Sequence, residues 1–335
     1  MMQERDTNIQ LNALSTGYNR RHGAYVVSKD LNLSIPSSQV VMLMGPNGSG
    51  KSTLMHTIAG LLPPLGGEVL IQGHSLNHLS MKEIANLLSL VLTEKIIPGN
   101  MTVSDIVTVG RYPYTNYIGT LSSQDKELIH EAIHECRLQG MERRLYAELS
   151  DGERQRVMIA RALTQATPLI LLDEPTAHLD LPSRLEVIMM LRRLAHQKHK
   201  SILISTHEMD LAINWADTIW LMDRDGKITA GAPEDIVLGG HFERVFGTPT
   251  LEYDAERGEF SVRPEMIRTV SITGQGLRYT WTKRALQRVG FSETTPAQGT
   301  PHIEVTPDHW TLLVNGTISS HHDIASLLNT LKNSL

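Results

Sequence analysis

The sequence predicts an α/β fold built on a parallel sheet, and three observations support this prediction. A glycine-rich loop from Gly45 to Thr53 follows directly on the apolar run Val40–Met44. From residue 152 to residue 222, helical segments alternate with short apolar strands, as in parallel sheets with crossover helices. Ahead of the loop, residues 9–15 and 24–35 alternate like antiparallel strands. We expect helices on both faces of the parallel sheet and a smaller antiparallel sheet before it.

The loop has the spacing of a phosphate-binding loop between a buried strand and a helix that begins near Lys51. Glycines let backbone N–H groups approach the β- and γ-phosphates, Lys51 supplies a fixed positive charge, and the hydroxyl of Ser52 suits Mg²⁺. A glycine-rich turn without a ligand is the alternative. The residues that we assign to the nucleoside triphosphate are Gly45, Pro46, Asn47, Gly48, Ser49, Gly50, Lys51, Ser52 and Thr53.

Composition places the chain among globular proteins with a sizeable core. Its 335 residues are 41% hydrophobic and 20% charged, and this length allows two domains. The net charge of -5 argues against a general nucleic-acid-binding protein, and no stretch approaches the roughly 18 consecutive apolar residues of a membrane span. The single cysteine, Cys136, excludes an internal disulfide and fits a reducing compartment. We expect a protein of the cytosol or of the cytosolic side of a membrane.

The remaining elements of the core follow in chain order. The segment from Val103 to about Ala147 has helical spacing and interrupts the core as an insertion. Asp225-Gly226 predicts the turn of a hairpin between strand 218–222 and a return strand. The other predicted elements are helix 52–59, a turn at Pro63–Gly67, strands 68–72 and 89–92, helix 152–165, strand 168–172, helix 182–196, strand 201–205 and helix 208–216.

Polar residues follow two of these strands at the edge where ligands of parallel sheets bind. Asp173 and Glu174 end one strand, and because successive residues point to opposite faces, we expect them to have different roles. Asp173 suits the Mg²⁺ side, and Glu174 suits the group that polarises the attacking water. His207 follows the next strand and is placed to contact the γ-phosphate. Alone, the acids would indicate a solvated strand end and the histidine an ordinary loop residue.

The helix that leads into the Asp173 strand begins with the sequence Leu149-Ser150-Asp151-Gly152-Glu153-Arg154-Gln155-Arg156. This segment resembles the signature motif of ATP-binding-cassette (ABC) ATPases. Residues 177–180 resemble the family's D-loop, and residues 205–207 resemble its switch histidine. The resemblance covers about residues 7–260. It implies a P-loop ABC ATPase core over residues 1–264, with an antiparallel β subdomain and a helical insertion at about residues 95–150.

The resemblance also implies a site shared between two subunits. In the family, the signature serine and its neighbours face ATP held by the phosphate loop of a second subunit, which here assigns Ser150, Gly152 and Asp180 to the partner's nucleotide. One copy of each motif favours a homodimer. Tyr18 resembles the aromatic residue that stacks on adenine, although a plain surface tyrosine is the alternative. The implied catalytic residues are Lys51, Glu174 and His207, the implied cofactors are ATP and Mg²⁺, and the implied metal-site residues are Ser52, Asp173 and Thr93.

Two departures from the family pattern stand out. Asp151-Gly152-Glu153 replaces the usual Gly-Gly-Gln of the signature and adds negative charge close to a phosphate site. Thr93, with Glu94 beside it, stands where the family has the glutamine of the Q-loop. Because threonine is shorter, its reach to Mg²⁺ is reduced, and we expect this position to act mainly as a hinge to the helical insertion.

Within the insertion, Val109-Gly110-Arg111-Tyr112-Pro113-Tyr114 resembles the Gly-Arg-x-Pro segment of ATPases that serve importers of ferric siderophores, haem and cobalamin. This resemblance implies a membrane permease dimer, an indirect periplasmic or lipoprotein binding protein, no nucleic acid, and work at the cytoplasmic face of the membrane. The alternative for the segment is that Tyr112 and Tyr114 only pack the insertion. The alternative function is a soluble ABC-type ATPase of DNA repair or translation, although the chain lacks long coiled coils.

Residues 265–335 extend beyond the resemblance and predict a small α+β appendage. Residues 269–273 alternate like a strand, and residues 302–305 and 309–314 predict a hairpin. A helix should place Trp281, Ala285, Leu286 and Val289 on one face and end at Gly290. Ser320 should cap a second helix with Ile324, Leu327, Leu328 and Leu331 facing inward. Ligand sensing and stabilisation of a dimer both stay open as roles for this segment.

Overall fold

The computed structural model describes residues 7–21, 23–92, 99–115, 120–262, 268–297 and 299–334. The chain divides into two compact units. The first comprises the described residues up to Gly247 together with residues 253–259, and the second comprises residues 248–252 and the described residues from Phe260 onward. The division therefore passes through a hairpin of two short strands, Leu251–Asp254 and Glu259–Val262.

The elements of the first unit alternate between strands and helices. Its strands are β1 (Thr7–Arg20), β2 (Gly23–Pro36), β3 (Val40–Met44), β4 (Gly66–Ile71), β5 (His74–Ser75), β6 (Leu88–Val91), β7 (Leu169–Asp173), β8 (Ser201–Ser205), β9 (Thr218–Met222) and β10 (Ile228–Gly231). Its helices are α1 (Lys51–Ile58), α2 (Met81–Leu87), α3 (Val103–Val109), α4 (Ser123–Glu135), α5 (Asp151–Thr164), α6 (Leu181–Gln197), α7 (Met209–Trp215), α8 (Pro233–Leu238) and α9 (His241–Phe246).

A six-stranded sheet forms the centre of this unit. Its order is β10-β9-β3-β8-β7-β6, and every neighbouring pair from β9 to β6 is parallel, whereas β10 pairs antiparallel with β9. Strands β3 and β8 are buried along their whole length, as expected when helices cover both faces. The carboxyl ends of β3, β7 and β8 therefore meet at one edge, where the phosphate loop, the two acids and the switch histidine begin.

An antiparallel sheet of order β2-β1-β4-β5 packs against the central sheet. The core between the sheets contains Ile9 and Leu11 from β1, Leu43 and Leu171 from the central sheet, and Leu54 from α1, all essentially inaccessible to solvent. Because α1 is held in this core, the helix that follows the phosphate loop has a fixed position. Residues 66 and 67 belong to β4 and not to the predicted turn, and Gly66 pairs with Ser15 at the end of the β1 ladder.

The helical insertion contains α3 and α4, a 3₁₀ turn at Tyr112–Tyr114 follows α3, and α5 packs against both helices. Capping boxes begin α3 at Thr102 and α4 at Ser122, and each satisfies the backbone N–H groups of its N-cap and third helical residue. Cys136 caps the C-terminal end of α4 and is fully buried, and burial raises the pKa of its thiol to about 12. Among the described residues, no helix is both long and apolar enough to cross a bilayer.

The second unit has its own sheet and core. Its elements after the hairpin strands β11 (Leu251–Asp254) and β12 (Glu259–Val262) are β13 (Arg268–Thr273), α10 (Gly276–Arg288), β14 (Phe291–Glu293), β15 (His302–Val305), β16 (Trp310–Val314), β17 (Thr317–His321) and α11 (Ile324–Asn333). The sheet order is β14-β13-β15-β16-β17, parallel from β14 to β15 and antiparallel beyond. Phe291, Ile303, Leu312 and Leu327 are among the side chains of its core.

Two predictions for this unit are wrong. The sequence predicts Trp281 on the buried face of α10, but 57% of this residue is exposed. Ala285 and Leu286 belong to the buried face of the helix, and Trp281 lies outside that face. Ser320 does not cap a helix, because it lies in β17, opposite Thr311 of β16. The cap of α11 is Asp323, whose carboxylate accepts the backbone N–H of Ser326 at 2.8 Å. Leu327, Leu328 and Leu331 face inward as predicted.

Candidate nucleotide site

The phosphate loop connects β3 to α1, and two of its positions accept only glycine. A Cβ atom on Gly45 would lie 2.4 Å from the carbonyl oxygen of Met222. Gly50 has φ +109°, and a Cβ there would lie 2.1 Å from Cγ1 of Val27. Both contacts are shorter than side chains tolerate, so the tight loop requires the glycines at these two positions.

The ammonium group of Lys51 is held inside this loop. Its Nζ donates to the carbonyl oxygens of Gly45 at 2.9 Å and Pro46 at 3.1 Å, and only 7% of the residue is exposed. Burial lowers the pKa of Lys51, while the nearby carboxylates of Glu174 and Asp173 act in the opposite direction. The side-chain oxygen of Ser49 is also buried, and it has no hydrogen-bond partner in the described part of the chain. The loop thus presents a buried cation and an unused hydroxyl, which fits an anionic ligand.

A cleft of about 620 Å³ opens over the loop. It brings together many of the predicted residues, because Tyr18, Glu174 and the loop residues from Asn47 to Thr53 all line it. Sequence reasoning missed several further lining residues, namely Tyr25, Val26, Val27, Arg224 and Asp225. Tyr25 had a usable signal: in a hairpin that pairs Arg20 with Gly23, Tyr18 must lie opposite Tyr25.

The two tyrosines form the aromatic side of the cleft. The Tyr18 hydroxyl lies 3.1 Å from Oγ1 of Thr53 in α1, and 42% of Tyr18 is exposed. The guanidinium of Arg20 lies 4.6 Å from the centre of the Tyr25 ring. The Tyr18 ring is thus joined to the phosphate-binding helix through its hydroxyl, and aromatic rings of this kind can stack on a nucleotide base.

Ser205 organises the two acids at the end of β7. Its hydroxyl donates to Oδ1 of Asp173 at 2.5 Å and accepts the backbone N–H of Glu174 at 2.9 Å. Glu174 has φ +45°, so the chain leaves the regular strand geometry at this residue. A non-glycine residue in this region is strained and is held there by its surroundings. The two acids therefore have different surroundings. Glu174 lines the cleft, and the Asp173 carboxylate is hydrogen-bonded to Ser205 of β8.

His207 lies beside Glu174. The two atoms Nδ1 of His207 and Oε1 of Glu174 are 3.5 Å apart, and both side chains remain partly exposed. The backbone N–H of Thr206 donates to the carbonyl oxygen of Leu43 at 3.0 Å, so the segment before the histidine is fixed to β3. A carboxylate and an imidazole in this arrangement can orient a water molecule next to the Lys51 site.

Glu208, which the sequence analysis did not consider, connects this region to the D-loop. Its carboxylate accepts the Thr176 hydroxyl at 2.8 Å and forms an ion pair with Arg184 of α6. Arg184 also donates to the carbonyl oxygen of Leu179 at 3.1 Å. One mostly buried carboxylate therefore holds residues on both sides of the turn that leads to Asp180. The signal for this role in the sequence is weak, since an acid is common at a helix start.

The signature segment and Asp180 meet each other away from the cleft. Ser150 and Glu153 form a capping box: Glu153 N–H donates to the Ser150 hydroxyl at 3.2 Å, and Ser150 N–H donates to Oε2 of Glu153 at 2.8 Å. Asp180 caps α6 by accepting the N–H of Ser183 at 3.0 Å, and a Cβ on Gly152 would lie 3.0 Å from Oγ of the same serine. Among the described residues, Ser150, Gly152 and Asp180 do not line the cleft.

The two unusual acids of the signature are neutralised by arginines. Asp151 lies 3.3 Å from Arg154, and Glu153 lies 3.3 Å from Arg144. The pKa of Glu153 is lowered mainly by the hydrogen bond from the Ser150 backbone. The Glu153 carboxylate therefore caps the N-terminus of α5, where its negative charge also interacts favourably with the helix dipole.

In the insertion, Arg111 is buried and forms an ion pair of 2.7 Å with Asp125 of α4. Its Nη1 donates to the carbonyl oxygen of Thr164 at 2.8 Å, and its guanidinium lies 3.9 Å from the centre of the Tyr114 ring. Tyr112, in contrast, is 76% exposed. Of the two tyrosines, Tyr114 thus packs the insertion, and Tyr112 lies on its surface. The predicted Q-loop position, Thr93, lies outside the described residues.

Both units of the chain match known protein families. Residues 28–177 match the family model described as ABC transporter, and residues 267–332 match the model described as iron ABC transporter C-terminal domain. An uncharacterized ABC transporter ATP-binding protein of Methanocaldococcus jannaschii is 37% identical over 77% of this chain and 88% of its own length. The iron(3+)-hydroxamate import ATP-binding protein of Bacillus subtilis is 34% identical over 70% of this chain and 88% of its own.

A solved structure shows the same fold for most of the first unit. The dimeric structure of a bacterial ABC transporter cassette superimposes with a TM-score of 0.58 and 27% identity, covering 67% of this chain and 98% of the cassette.

Proposed function

Because the chain belongs to the family of ABC transporter ATP-binding proteins, we propose that it powers an importer of iron-siderophore, haem or corrinoid compounds through a membrane permease. ATP hydrolysis is the activity of the family. The observation that carries the proposal for this chain is the cleft in which Lys51, Glu174 and Tyr18 come together over the phosphate loop.

The loop residues divide the work on the triphosphate. Lys51 exchanges its two carbonyl partners for the β- and γ-phosphates, and the loop N–H groups bind the remaining phosphate oxygens. The ring of Tyr18 stacks on the adenine, with its hydroxyl kept on Thr53. Ser52 and Asp173 are the residues that would hold Mg²⁺. When bound, that ion would neutralise the charge that develops on the phosphates.

Glu174 and His207 act on the attacking water. The carboxylate of Glu174 accepts a hydrogen bond from the water and orients it, and His207 donates to the γ-phosphate. Ser205 contributes by accepting the backbone N–H of Glu174, which is in the left-handed conformation, and by donating its hydroxyl to the Asp173 carboxylate. This division gives the two neighbouring acids different tasks.

A second copy of the chain completes the site. Ser150, Gly152 and Asp180 form one surface that does not line the cleft of their own chain, and such a surface is available to a nucleotide held by a partner. The N-terminus of α5 also carries N–H groups that the capping box does not use, those of Asp151 and Gly152, and such groups suit a phosphate. The proposed homodimer therefore encloses two ATP molecules, and hydrolysis lets the two copies separate.

The iron-related cargo is supported by the C-terminal match and by the name of the Bacillus relative, which imports iron(3+)-hydroxamate. The exposed Tyr112, in the segment that resembles the Gly-Arg-x-Pro stretch, is available for contact with a permease. We place the protein at the cytoplasmic face of the membrane, with a binding protein outside as an indirect partner. The alternative, a soluble ATPase of DNA repair or translation, shares the nucleotide residues and lacks this support.

The test is to isolate the Glu174→Gln form from gently solubilised membranes with ATP and Mg²⁺ and to identify co-purifying proteins by mass spectrometry. A membrane permease in stoichiometric amount is the expected result, and its identity would narrow the cargo. The Lys51→Ala form, prepared in the same way, controls for carry-over. Recovery only with nucleic acid or ribosomes would overturn the importer proposal and leave the ATPase activity untouched.

A further inference from the structure

The C-terminal unit contains a cleft of its own, with a volume of about 590 Å³. It lies along α10, next to Trp310 of β16 and the first residue of α11, so that all of its walls belong to one unit. Its volume is close to that of the nucleotide cleft and within the usual range for small-molecule sites. None of the ATPase residues discussed above contributes to it.

Two tryptophans give the cleft its apolar surface. Trp310 is buried, and its indole Nε1 donates to the Thr282 hydroxyl at 2.7 Å, which fixes the ring in place. Trp281 is 57% exposed and Leu277 is 76% exposed, although both are large and apolar. Side chains of this kind gathered in a concavity are typical of a binding site.

Three arginines of α10 surround this apolar surface. The guanidinium of Arg278 lies 4.4 Å from the centre of the Trp310 ring, and that of Arg284 lies 5.1 Å from the centre of the Trp281 ring. Arg288 lines the cleft one turn further along the helix. Among the described residues, no acid lines the cleft. The cleft is therefore positively charged as well as apolar.

One of these arginines has an unused donor. Nη1 of Arg278 is buried and has no hydrogen-bond partner in the part of the chain that the structure describes. Because Nη1 itself is buried, an anionic ligand in the cleft would reach it after the guanidinium turns toward the cleft, and the new hydrogen bond would offset the cost of the unpaired donor. Guanidinium groups bind carboxylates through two parallel hydrogen bonds, and tryptophan rings favour flat apolar ligands.

We propose that this cleft binds a small aromatic carboxylate, with the ring against Trp281 and Trp310 and the carboxylate among Arg278, Arg284 and Arg288. The ligand is a free small molecule, because the concavity would enclose one aromatic ring system and offers positive charge around it. This site depends on residues 277–324 alone and stands independently of the function proposed for the nucleotide cleft.

The test uses 1-naphthoate as the probe and the full chain as the protein. Titration followed by calorimetry and by tryptophan fluorescence should show saturable binding of one naphthoate per chain. The neutral 1-naphthalenemethanol should bind at least about tenfold more weakly, since it cannot pair with guanidinium groups. Absence of saturable naphthoate binding, or equal binding of the alcohol, would overturn the proposal.

Variants locate the probe on α10. Arg288→Gln, at an exposed position where folding should be unaffected, and Arg278→Gln should each weaken naphthoate binding about tenfold. Trp281→Ala should weaken it and remove part of the fluorescence change. The matched control is Lys283→Gln, which removes the same charge from the same helix, but from a lysine that pairs with Glu293 at 2.5 Å outside the cleft.

Three further results would decide against the site. An equal loss in Lys283→Gln would show that naphthoate responds only to general charge, and normal binding by both arginine variants would place it elsewhere. Lys51→Ala should bind naphthoate like the unchanged chain, because its change lies in the nucleotide cleft. If rising protein concentration displaced naphthoate as the chain dimerised, the cleft would be a contact between copies, and the ligand proposal would fail.

Discussion

The guanidinium of Arg184 pairs with the carboxylate of Glu208, the residue that directly follows the switch histidine. Glu208 is mostly buried and also holds the hydroxyl of Thr176, while Arg184 holds the carbonyl oxygen of Leu179. The segment that carries His207 and the segment that leads to Asp180 are thus joined through one ion pair. A movement at the proposed γ-phosphate contact would reach the proposed dimer surface by this route.

Arg184→Ala should lower kcat about tenfold and leave KM nearly unchanged, because positioning is lost at the chemical step and nucleotide contacts are kept. Steady-state ATPase rates against ATP concentration measure both values. Arg192→Ala, a change on the same helix at an arginine beside Trp215, is the control and should have little effect. A rise in KM with unchanged kcat would assign Arg184 to nucleotide binding.

Lys51→Ala should weaken ATP binding at least about a hundredfold, since a buried charge-assisted contact to the phosphates is removed. Calorimetric titration with ATP provides the measurement. Lys29→Ala removes an exposed lysine of β2 and should bind as the unchanged chain does. Tight binding by Lys51→Ala would mean that the loop does not hold the triphosphate.

Glu174→Gln should retain ATP binding, slow turnover by about two orders of magnitude or more, and accumulate a dimer, because the loss falls on the activation of water. Phosphate release gives the rate, and sedimentation with ATP gives the dimer. Glu186→Gln, an exposed change on α6, serves as the control. If Glu174→Gln hydrolyses ATP at a normal rate, the base lies at another residue.

Glu153→Gln should strengthen the ATP-dependent dimer a few-fold at low salt, and less at high salt. Glutamine still completes the capping box with Ser150, but it removes a negative charge beside the phosphate of the partner's nucleotide. Sedimentation in the Glu174→Gln background measures the dimer constant. Glu148→Gln, in the turn before α5, is the control, and an equal effect there would indicate only long-range charge.

The Asp125 carboxyl should make stability depend on pH. Hydrogen bonds from Ser122, and then the charge of Arg111, hold its pKa below the usual range. A depressed folded pKa adds stability that is complete above the unfolded pKa and is lost as the pH falls through the folded one. Asp125→Asn should therefore lower the free energy of unfolding by about 3 kcal/mol at neutral pH, by leaving Arg111 buried and unpaired.

The difference in the free energy of unfolding between Asp125→Asn and the unchanged chain should become smaller below about pH 4. Below that pH the unchanged chain also loses the charge of the Asp125 carboxylate. Urea unfolding at neutral and acidic pH measures it. Glu127→Gln, an exposed change on the same helix, should alter the free energy of unfolding little at either pH. If the loss in the free energy of unfolding stayed constant between neutral and acidic pH, the charge of the Asp125 carboxylate would not be its cause.

The strands of the central sheet were predictable because they are short apolar runs buried on both faces, and β8 was predicted with its observed ends. Helix α2 was missed, although Ser80 and Glu83 form a capping box that the sequence shows. Trp281 was misplaced because one helix face can carry both core and cleft residues. An apolar spacing pattern does not distinguish them.

Within the candidate site, motif residues were predictable because their roles follow from local spacing. Glu208 and Arg224 were not, because they reach their positions through contacts between segments distant in sequence. The left-handed backbone of Glu174 was also beyond sequence patterns, since glutamate seldom adopts it. The predicted domain boundary at Glu265 falls within residues 263–267, outside the described residues, and the division at 1–264 and 265–335 stays a prediction.

Because the thiol of Cys136 is buried, the unchanged chain is a convenient starting protein for site-directed labelling. Maleimides react with accessible thiolates, and this sulfur is neither accessible nor ionised near neutral pH. A cysteine introduced at an exposed position would therefore carry the only reactive dye site without any need to remove a native residue. Pairs of such dyes could follow the opening and closing of the proposed dimer in real time, on a protein whose core has not been altered.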